Sequence, residues 1–298
     1  MKKNYVFTYG TLLKGEVNHD DRINDDDYVC DGAITGYQMF HLGSYPGIKE
    51  GEGVVLGELY SVDDETLSEL DAFEGEGWLY VRKKVIVKTL NQDYEAFVYV
   101  YNLEVDESKL IGNGVFSWKN LNKEYVWYVS YGSNLLLERF LLYITGGYNK
   151  RIKVNQDGCD DKSLPLLSKN TIIPYRLYFA NSSRTWNKGG VAFIDVNTPG
   201  QTYGRAYLIT KEQLSQVQDQ EGGWYQNKFY LGEIDGIPAY TLTSYVRYPK
   251  NTVDHKYENV ITDGLVEMGL EWVEAIKYLK TPNELIAIDD FNIYIYWF

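Results

Sequence analysis

Two stretches of this chain match position for position without a gap. Gly57-Glu58-Leu59-Tyr60-Ser61-Val62 leads into Leu67-Ser68-Glu69-Leu70-Asp71-Ala72-Phe73-Glu74-Gly75. Gly204-Arg205-Ala206-Tyr207-Leu208-Ile209 leads into Leu214-Ser215-Gln216-Val217-Gln218-Asp219-Gln220-Glu221-Gly222. The offset is constant at 147, from the pair 57 and 204 to the pair 74 and 221, and Gly, Tyr, Leu, Ser, Glu and Gly are identical at matching places. Such self-similarity points to two copies of one supersecondary unit, which constrains the fold more than any single motif. Upstream, Tyr5-Val6-Phe7-Thr8-Tyr9-Gly10-Thr11-Leu12 corresponds to Tyr128-Val129-Ser130-Tyr131-Gly132-Ser133-Asn134-Leu135. Each reads as a buried strand entering a glycine turn that carries a hydroxyl residue. A weaker third pair sets Gly36-Tyr37-Gln38-Met39-Phe40 against Pro174-Tyr175-Arg176-Leu177-Tyr178.

In both long blocks a strand runs into a short amphipathic helix. In the first, Asp63 or Asp64 caps the start, Leu67, Leu70 and Phe73 recur at helical spacing, and Gly75 suits the end. This places the repeated glutamate in the last turn. The pattern breaks near Gly112–Tyr125, which predicts domains over residues 1–118 and 124–298. The second is longer and carries a polar insertion near 148–168, broken by Pro165 and read as a surface excursion or lid. Beyond Tyr257, apolar residues are spaced for helices broken at Gly269, and Phe291 to Phe298 alternates like a strand.

The 298 residues suffice for one large domain or two ordinary ones. With 29 basic against 42 acidic side chains, the net charge of −13 argues against sequence-independent nucleic-acid binding. Residues 1–120 hold 11 basic and 22 acidic side chains, net −11, and the remainder 18 and 20, net −2. No run approaches a membrane helix, and the opening apolar stretch is too short for an export signal. The expected location is therefore the cytoplasm, and Asn181-Ser182-Ser183 matches a glycosylation pattern by chance. Cys30 and Cys159 sit far apart in unlike contexts, so neither a disulfide nor a zinc or redox motif is expected. His19, His41 and His255 form no motif, which makes a carboxylate the better candidate proton carrier.

Tyr9-Gly10-Thr11-Leu12, followed by Gly15 and Asn18-His19, resembles the γ-glutamylamine cyclotransferase and AIG2-like branch of the γ-glutamylcyclotransferase family. So does Asp71-x-x-Glu74-Gly75 ahead of Leu79-Tyr80-x-Arg82. Tyr131-Gly132-Ser133-Asn134-Leu135 with Gln220-Glu221-Gly222 is similar to the branch whose signature is YGSNL, and Tyr257 through Gly269 is similar to that branch's C-terminal helix. The resemblance implies an α+β fold of two tandem domains, each a small mixed β-barrel with flanking helices. It implies an enzyme in which the α-amine of a γ-glutamyl compound attacks its own γ-carbonyl, releasing 5-oxoproline and a free amine or amino acid. No cofactor or metal is implied, and the partner is a small γ-glutamyl substrate rather than nucleic acid or membrane. Two alternatives remain: a non-catalytic γ-glutamyl-binding or pseudo-dimer role, and removal of a γ-glutamyl protecting group in a biosynthetic pathway.

The chemistry suits these residue types. Backbone N–H groups at a glycine turn converge on an anion, so Gly10, Thr11 and Leu12, and Gly132, Ser133, Asn134 and Leu135, are candidate holders of the α-carboxylate. The plainer reading, that the glycines only let a strand turn, is weakened by the matching glutamates. An α-ammonium must lose a proton before it attacks. Glu74 and Glu221 are the candidate acid–base groups, best served by a raised pKa. The helix dipole and burial by Phe73, Trp78 and Leu79, or Trp224 and Tyr225, would raise it. Glu76 reads as surface charge. Tyr9 and Tyr131 are substrate-binding candidates that also suit packing beneath the turn, and Tyr80 and Tyr225 either line the pocket or fill the core. His19 either touches substrate or balances the acidic run Asp20, Asp21, Asp25, Asp26 and Asp27. Replacing either glutamate by glutamine is expected to abolish turnover and leave stability nearly intact.

Overall fold

The computed structural model describes residues 4–112 and 114–282, which divide into two units, the first reaching Glu124 and the second starting at Tyr125, with Asp235–Ile237 grouped with the first. In the first, the strands are β1 (Asn4–Thr8), β2 (Tyr28–His41), β3 (Pro46–Val62), β4 (Tyr80–Val87) and β5 (Tyr94–Tyr101), with helix α1 (Asp64–Glu74) after β3. Their order in the sheet is β2-β3-β1-β5-β4, and the short β6 (Val115–Phe116) pairs with β3. β1 runs antiparallel to β3 and parallel to β5, with Val6 opposite Phe97. Ala33 and Lys88 exchange both backbone hydrogen bonds at 2.9 and 2.8 Å, joining β2 to the residue after β4 and closing the sheet into a barrel. Alternation along β1 sends Phe7 into one core cluster with Ile34, Met39 and Val98. Val6 faces the other way, into a second cluster with Leu67 and Leu70 of α1.

The second unit contains β7 (Tyr125–Ser130), α2 (Leu137–Thr145), β8 (Gly147–Asn149), β9 (Val154–Gln156), β10 (Ser168–Ser183) and β11 (Gly189–Thr210). It continues with α3 (Lys211–Gln220), β12 (Asn227–Ile234), β13 (Ile237–Thr243), α4 (His255–Glu267) and α5 (Trp272–Lys280). The sheet order β10-β11-β7-β13-β12 repeats the first unit strand for strand. β7 is antiparallel to β11 and parallel to β13, as β1 is to β3 and β5. Here the outer strands meet through side chains, Tyr175 against Phe229 edge to face at 5.2 Å. The weak third repeat falls where both second strands slip register, between Thr35 and Tyr37 and between Ile173 and Tyr175, a bulge that sharpens twist.

Local chemistry explains the helix ends. Asp63, rather than Asp64, caps α1 by accepting the Thr66 N–H at 2.8 Å, and Gly75 ends it in the left-handed region at φ 61°. Thr210 caps α3 through a reciprocal pair with Gln213. Gly269, at φ 103°, lies between α4 and α5.

The segment read as a surface excursion or lid leaves Tyr148 and Leu164 exposed and is tied to the unit through its backbone. The Cys159 N–H donates to the Ile144 carbonyl at 2.9 Å, Gly158 donates to Gln220 Oε1 at 3.1 Å, and Leu166 and Leu167 pair with Leu208 of β11. Three glutamines of α3 hold it, because Gln213 and Gln216 also bond its backbone. The strand expected over Phe291–Phe298 lies outside the described residues.

Candidate active sites

β1 ends at Thr8, and the chain turns at Tyr9-Gly10-Thr11-Leu12. The Leu13 N–H closes the turn onto the Gly10 carbonyl at 3.0 Å. Asn18 brackets Thr11, donating its own N–H to the Thr11 carbonyl at 3.1 Å and its side-chain amide to Thr11 Oγ1 at 3.0 Å. His19 is buried, with Nδ1 2.9 Å from the Leu12 carbonyl and Nε2 3.0 Å from Asp25. It therefore holds the turn and meets one carboxylate of the acidic run; it does not line the cavity. The N–H groups of Gly10, Thr11 and Leu12 donate to no acceptor among the described residues, and all three residues line a cavity of about 180 Å³. Glycine is required at position 10 by close approach, since a Cβ there would lie 2.6 Å from Pro46 Cγ.

Glu74 lines the same cavity with Tyr45, Pro46, Phe73, Leu79 and Tyr80. Its carboxylate has no hydrogen-bond or ionic partner among the described residues. Burial alone pushes its pKa up to about 7. The last turn of α1 is anchored by Asp71, which takes a 2.7 Å salt bridge from Arg82 and a 2.8 Å hydrogen bond from the Tyr99 hydroxyl. Trp78, expected to help bury Glu74, points away and is 67 % exposed. Glu76 is exposed, as surface charge should be.

The tyrosines hold backbone. The Tyr9 hydroxyl donates to the Tyr99 carbonyl and that of Tyr131 to the Leu242 carbonyl, each at 2.7 Å. These contacts are equivalent. Val6 and Tyr128 stand three residues before the two tyrosines and face Phe97 and Tyr240 across parallel pairs, and two residues further on are Tyr99 and Leu242. Each tyrosine thus clamps its glycine turn onto the neighbouring parallel strand while still lining the cavity. Tyr80 and Tyr225 also do both jobs, donating to the Pro46 and Ala192 carbonyls at 2.9 and 2.7 Å. Tyr225 stacks on Phe193 with centroids 4.9 Å apart.

In the second unit Glu221 follows α3 directly and lines a cavity of about 30 Å³ with Gly132, Ser133 and Asn134. That is about a sixth of the volume of the first cavity. A Cβ on Gly132 would lie 2.8 Å from the Tyr257 hydroxyl. Glu221 is held where Glu74 is free: Asn134 Nδ2 donates to Oε1 at 2.5 Å and the Tyr143 hydroxyl to Oε2 at 3.3 Å. Burial raises the pKa of Glu221, opposed by Arg139 and by these two hydrogen bonds. Leu135, expected at the anion site, is instead core. It is fully buried, and its N–H is used in closing the turn onto Gly132 at 3.0 Å.

Sequence reasoning missed Arg139 and Tyr143 on α2. The available signal was their i, i+4 spacing on a largely apolar helix, Leu137 to Thr145. It also missed Tyr45, Tyr99 and Tyr257, which carry no repeat signal.

A sequence profile described as "Gamma-glutamyl cyclotransferase, AIG2-like" matches residues 6–119. The γ-glutamylcyclotransferase family protein YtfP of Escherichia coli K12 is 37 % identical over 118 residues, 40 % of this chain and 98 % of that one. A protein named histone deacetylase 5 from Arabidopsis thaliana is 33 % identical over 208 residues, 55 % of this chain. The match spans only 32 % of that plant protein's length. The crystal structure of YkqA from Bacillus subtilis aligns over 95 % of this chain and 99 % of that one, at 21 % identity and a TM-score of 0.37.

Proposed function

The chain belongs to the γ-glutamylcyclotransferase family, and from that premise we propose that its first unit releases 5-oxoproline from γ-glutamyl compounds with Glu74 as the acid–base group. The observation that carries this is one cavity holding a carboxyl with a pKa of about 7 and three backbone N–H groups, none of which has a partner among the described residues. The amides of Gly10, Thr11 and Leu12 receive the α-carboxylate. Glu74 takes a proton from the α-ammonium, and the freed amine attacks the γ-carbonyl. The five-membered lactam closes as the bond to the leaving nitrogen breaks; that nitrogen takes the proton held by Glu74, and the second proton, shed by the ring nitrogen after attack, passes through the regenerated Glu74 carboxylate to the departing amine, which leaves as its ammonium. A group titrating near neutrality serves both transfers.

On this reading residues 1–118 form the γ-glutamylamine cyclotransferase-like domain and 124–298 the YGSNL-type domain, with Glu221, Gly132, Ser133 and Asn134 as its site. The two hydrogen bonds that already occupy Glu221, from Asn134 and Tyr143, favour a second reading for that domain, namely γ-glutamyl binding without turnover. Incubating the protein with γ-glutamyl amines and dipeptides, and measuring 5-oxoproline, tests both. Release abolished by Glu74→Gln supports the first assignment; release unaffected by it overturns that assignment. Should Glu221→Gln alter release from no compound in the panel, the second domain is a binding unit.

A further inference from the structure

Resting on the cyclotransferase reading above, we propose that Arg139 is a positioning residue of the second site, joining the Glu221 carboxylate and the glycine turn into one frame through Tyr143 and Ser133. Arg139 lies on α2 and is 6 % exposed. Its Nη2 donates to the Tyr143 hydroxyl at 3.0 Å, and that hydroxyl donates onward to Glu221 Oε2 at 3.3 Å. Its Nε donates to Ser133 Oγ at 3.4 Å, on the turn itself. The guanidinium lies 5.0 Å from the Tyr143 ring centroid and 6.0 Å from that of Trp186, so its plane is held by aromatic neighbours.

The charge on Arg139 needs an answer. Nη1 is buried without a hydrogen-bond partner, and Arg139 forms no salt bridge among the described residues. A buried cation with no anion nearby is strongly disfavoured. Glu221 is the acid whose titration Arg139 lowers. The other groups facing Glu221 are the Asn134 amide and the phenols of Tyr128, Tyr131, Tyr143, Tyr225 and Tyr257. Burial drives every one of those phenols upward, so they stay neutral near physiological pH and Arg139 is the cation of the set. Among the described residues the first site has no equivalent, since burial is the one influence on Glu74 there. Glu221 is therefore kept anionic to lower pH than burial alone would allow, with both oxygens already pointed.

The test is a ¹³C titration of the full chain labelled at glutamate carboxyl carbons, with Glu221→Gln identifying the signal. It needs no turnover, so it remains readable even if the cyclotransferase reading fails, and that failure shows separately as no 5-oxoproline release. Arg139→Met should raise the Glu221 midpoint by about one pH unit or more, because an opposing charge is lost. Arg139→Lys, which keeps the charge, should stay near the parent, and Tyr143→Phe should rise by less than Arg139→Met. In a Glu74→Gln background, any second-site turnover should show its acid limb moved up by the same amount. A midpoint unmoved by Arg139→Met overturns the proposal. If that variant does not fold, a parent-like midpoint in Tyr143→Phe overturns it instead.

Discussion

Consider Glu74→Gln measured for stability as well as for rate. Burial without a partner lifts the carboxyl from 4.5 to about 7. Because the folded-state pKa is the higher one, the folded chain binds more protons than the unfolded chain between those values, and stability falls as pH rises through that window. At about 1.4 kcal/mol per pKa unit, the loss is below ~1 kcal/mol at pH 5 and approaches ~3 kcal/mol at pH 8. Water entering the cavity screens part of this, so the difference between the two pH values should be on the order of 1–2 kcal/mol. Glutamine does not ionise, and the variant should lack this loss. Urea unfolding of parent and variant at pH 5 and pH 8 should therefore show the variant gaining stability selectively at pH 8. The sequence alone predicts no such gain, since it treats the glutamate as dispensable to the fold. In a Glu221→Gln background the same substitution should cut kcat/KM for 5-oxoproline release by about 10²–10⁴, and the parent's rate should fall as pH drops below about 7. Parallel stability curves for parent and variant across this pH range would refute the reasoning, because the carboxyl would then not be held in its neutral form by the fold.

Gly10→Ala places a methyl 2.6 Å from Pro46 Cγ, so the turn must shift; KM should rise about tenfold or more with the circular dichroism spectrum unchanged. Tyr131→Phe leaves the Leu242 carbonyl without its 2.7 Å donor, and urea unfolding should show a loss of about 1–3 kcal/mol. Gln220→Ala removes the acceptor of the Gly158 N–H; that amide should exchange with solvent faster while Val126, in the central strand, is unaffected.

The repeat made the topology legible before any strand was placed. A gapless offset from Gly57 to Gly222 leaves little room for two different sheet orders, and Glu74 and Gly10 duly line one cavity. What stayed hidden depends on contacts between residues remote in sequence. Trp78 was expected against Glu74 because the two are neighbours in the chain, yet the left-handed turn at Gly75 redirects the backbone and leaves the indole exposed. Polarity marks the segment near 148–168 as a surface excursion but does not reveal what anchors it. Its polar groups are bonded to α3 glutamines whose first-unit counterparts are Glu69 and Phe73 at positions 216 and 220. Phe73 lines the first cavity, whereas Gln220 turns to help hold the inserted chain, so this one change in the repeat both removes an apolar wall and adds a tether to the segment.

The same logic extends to Glu58 and Arg205, a repeat pair at which charge reverses. Glu58 of β3 is buried; its Oε2 accepts the Lys14 N–H and the Tyr60 hydroxyl, each at 2.7 Å, and its Oε1 takes a 2.7 Å salt bridge from Lys119. Arg205, 147 residues on, is buried in β11, donates to the Leu135 carbonyl at 3.0 Å and pairs with Glu267 at 2.7 Å. Both side chains pin the backbone just after a glycine turn, one by accepting from it and one by donating to it. Each buried charge is matched by a partner of opposite sign from outside the repeat, as burial demands. What the fold preserves at this position is the tether on the turn. The sign of the charge is free to change provided the partner changes with it, so each unit keeps its buried charge neutralised at this position.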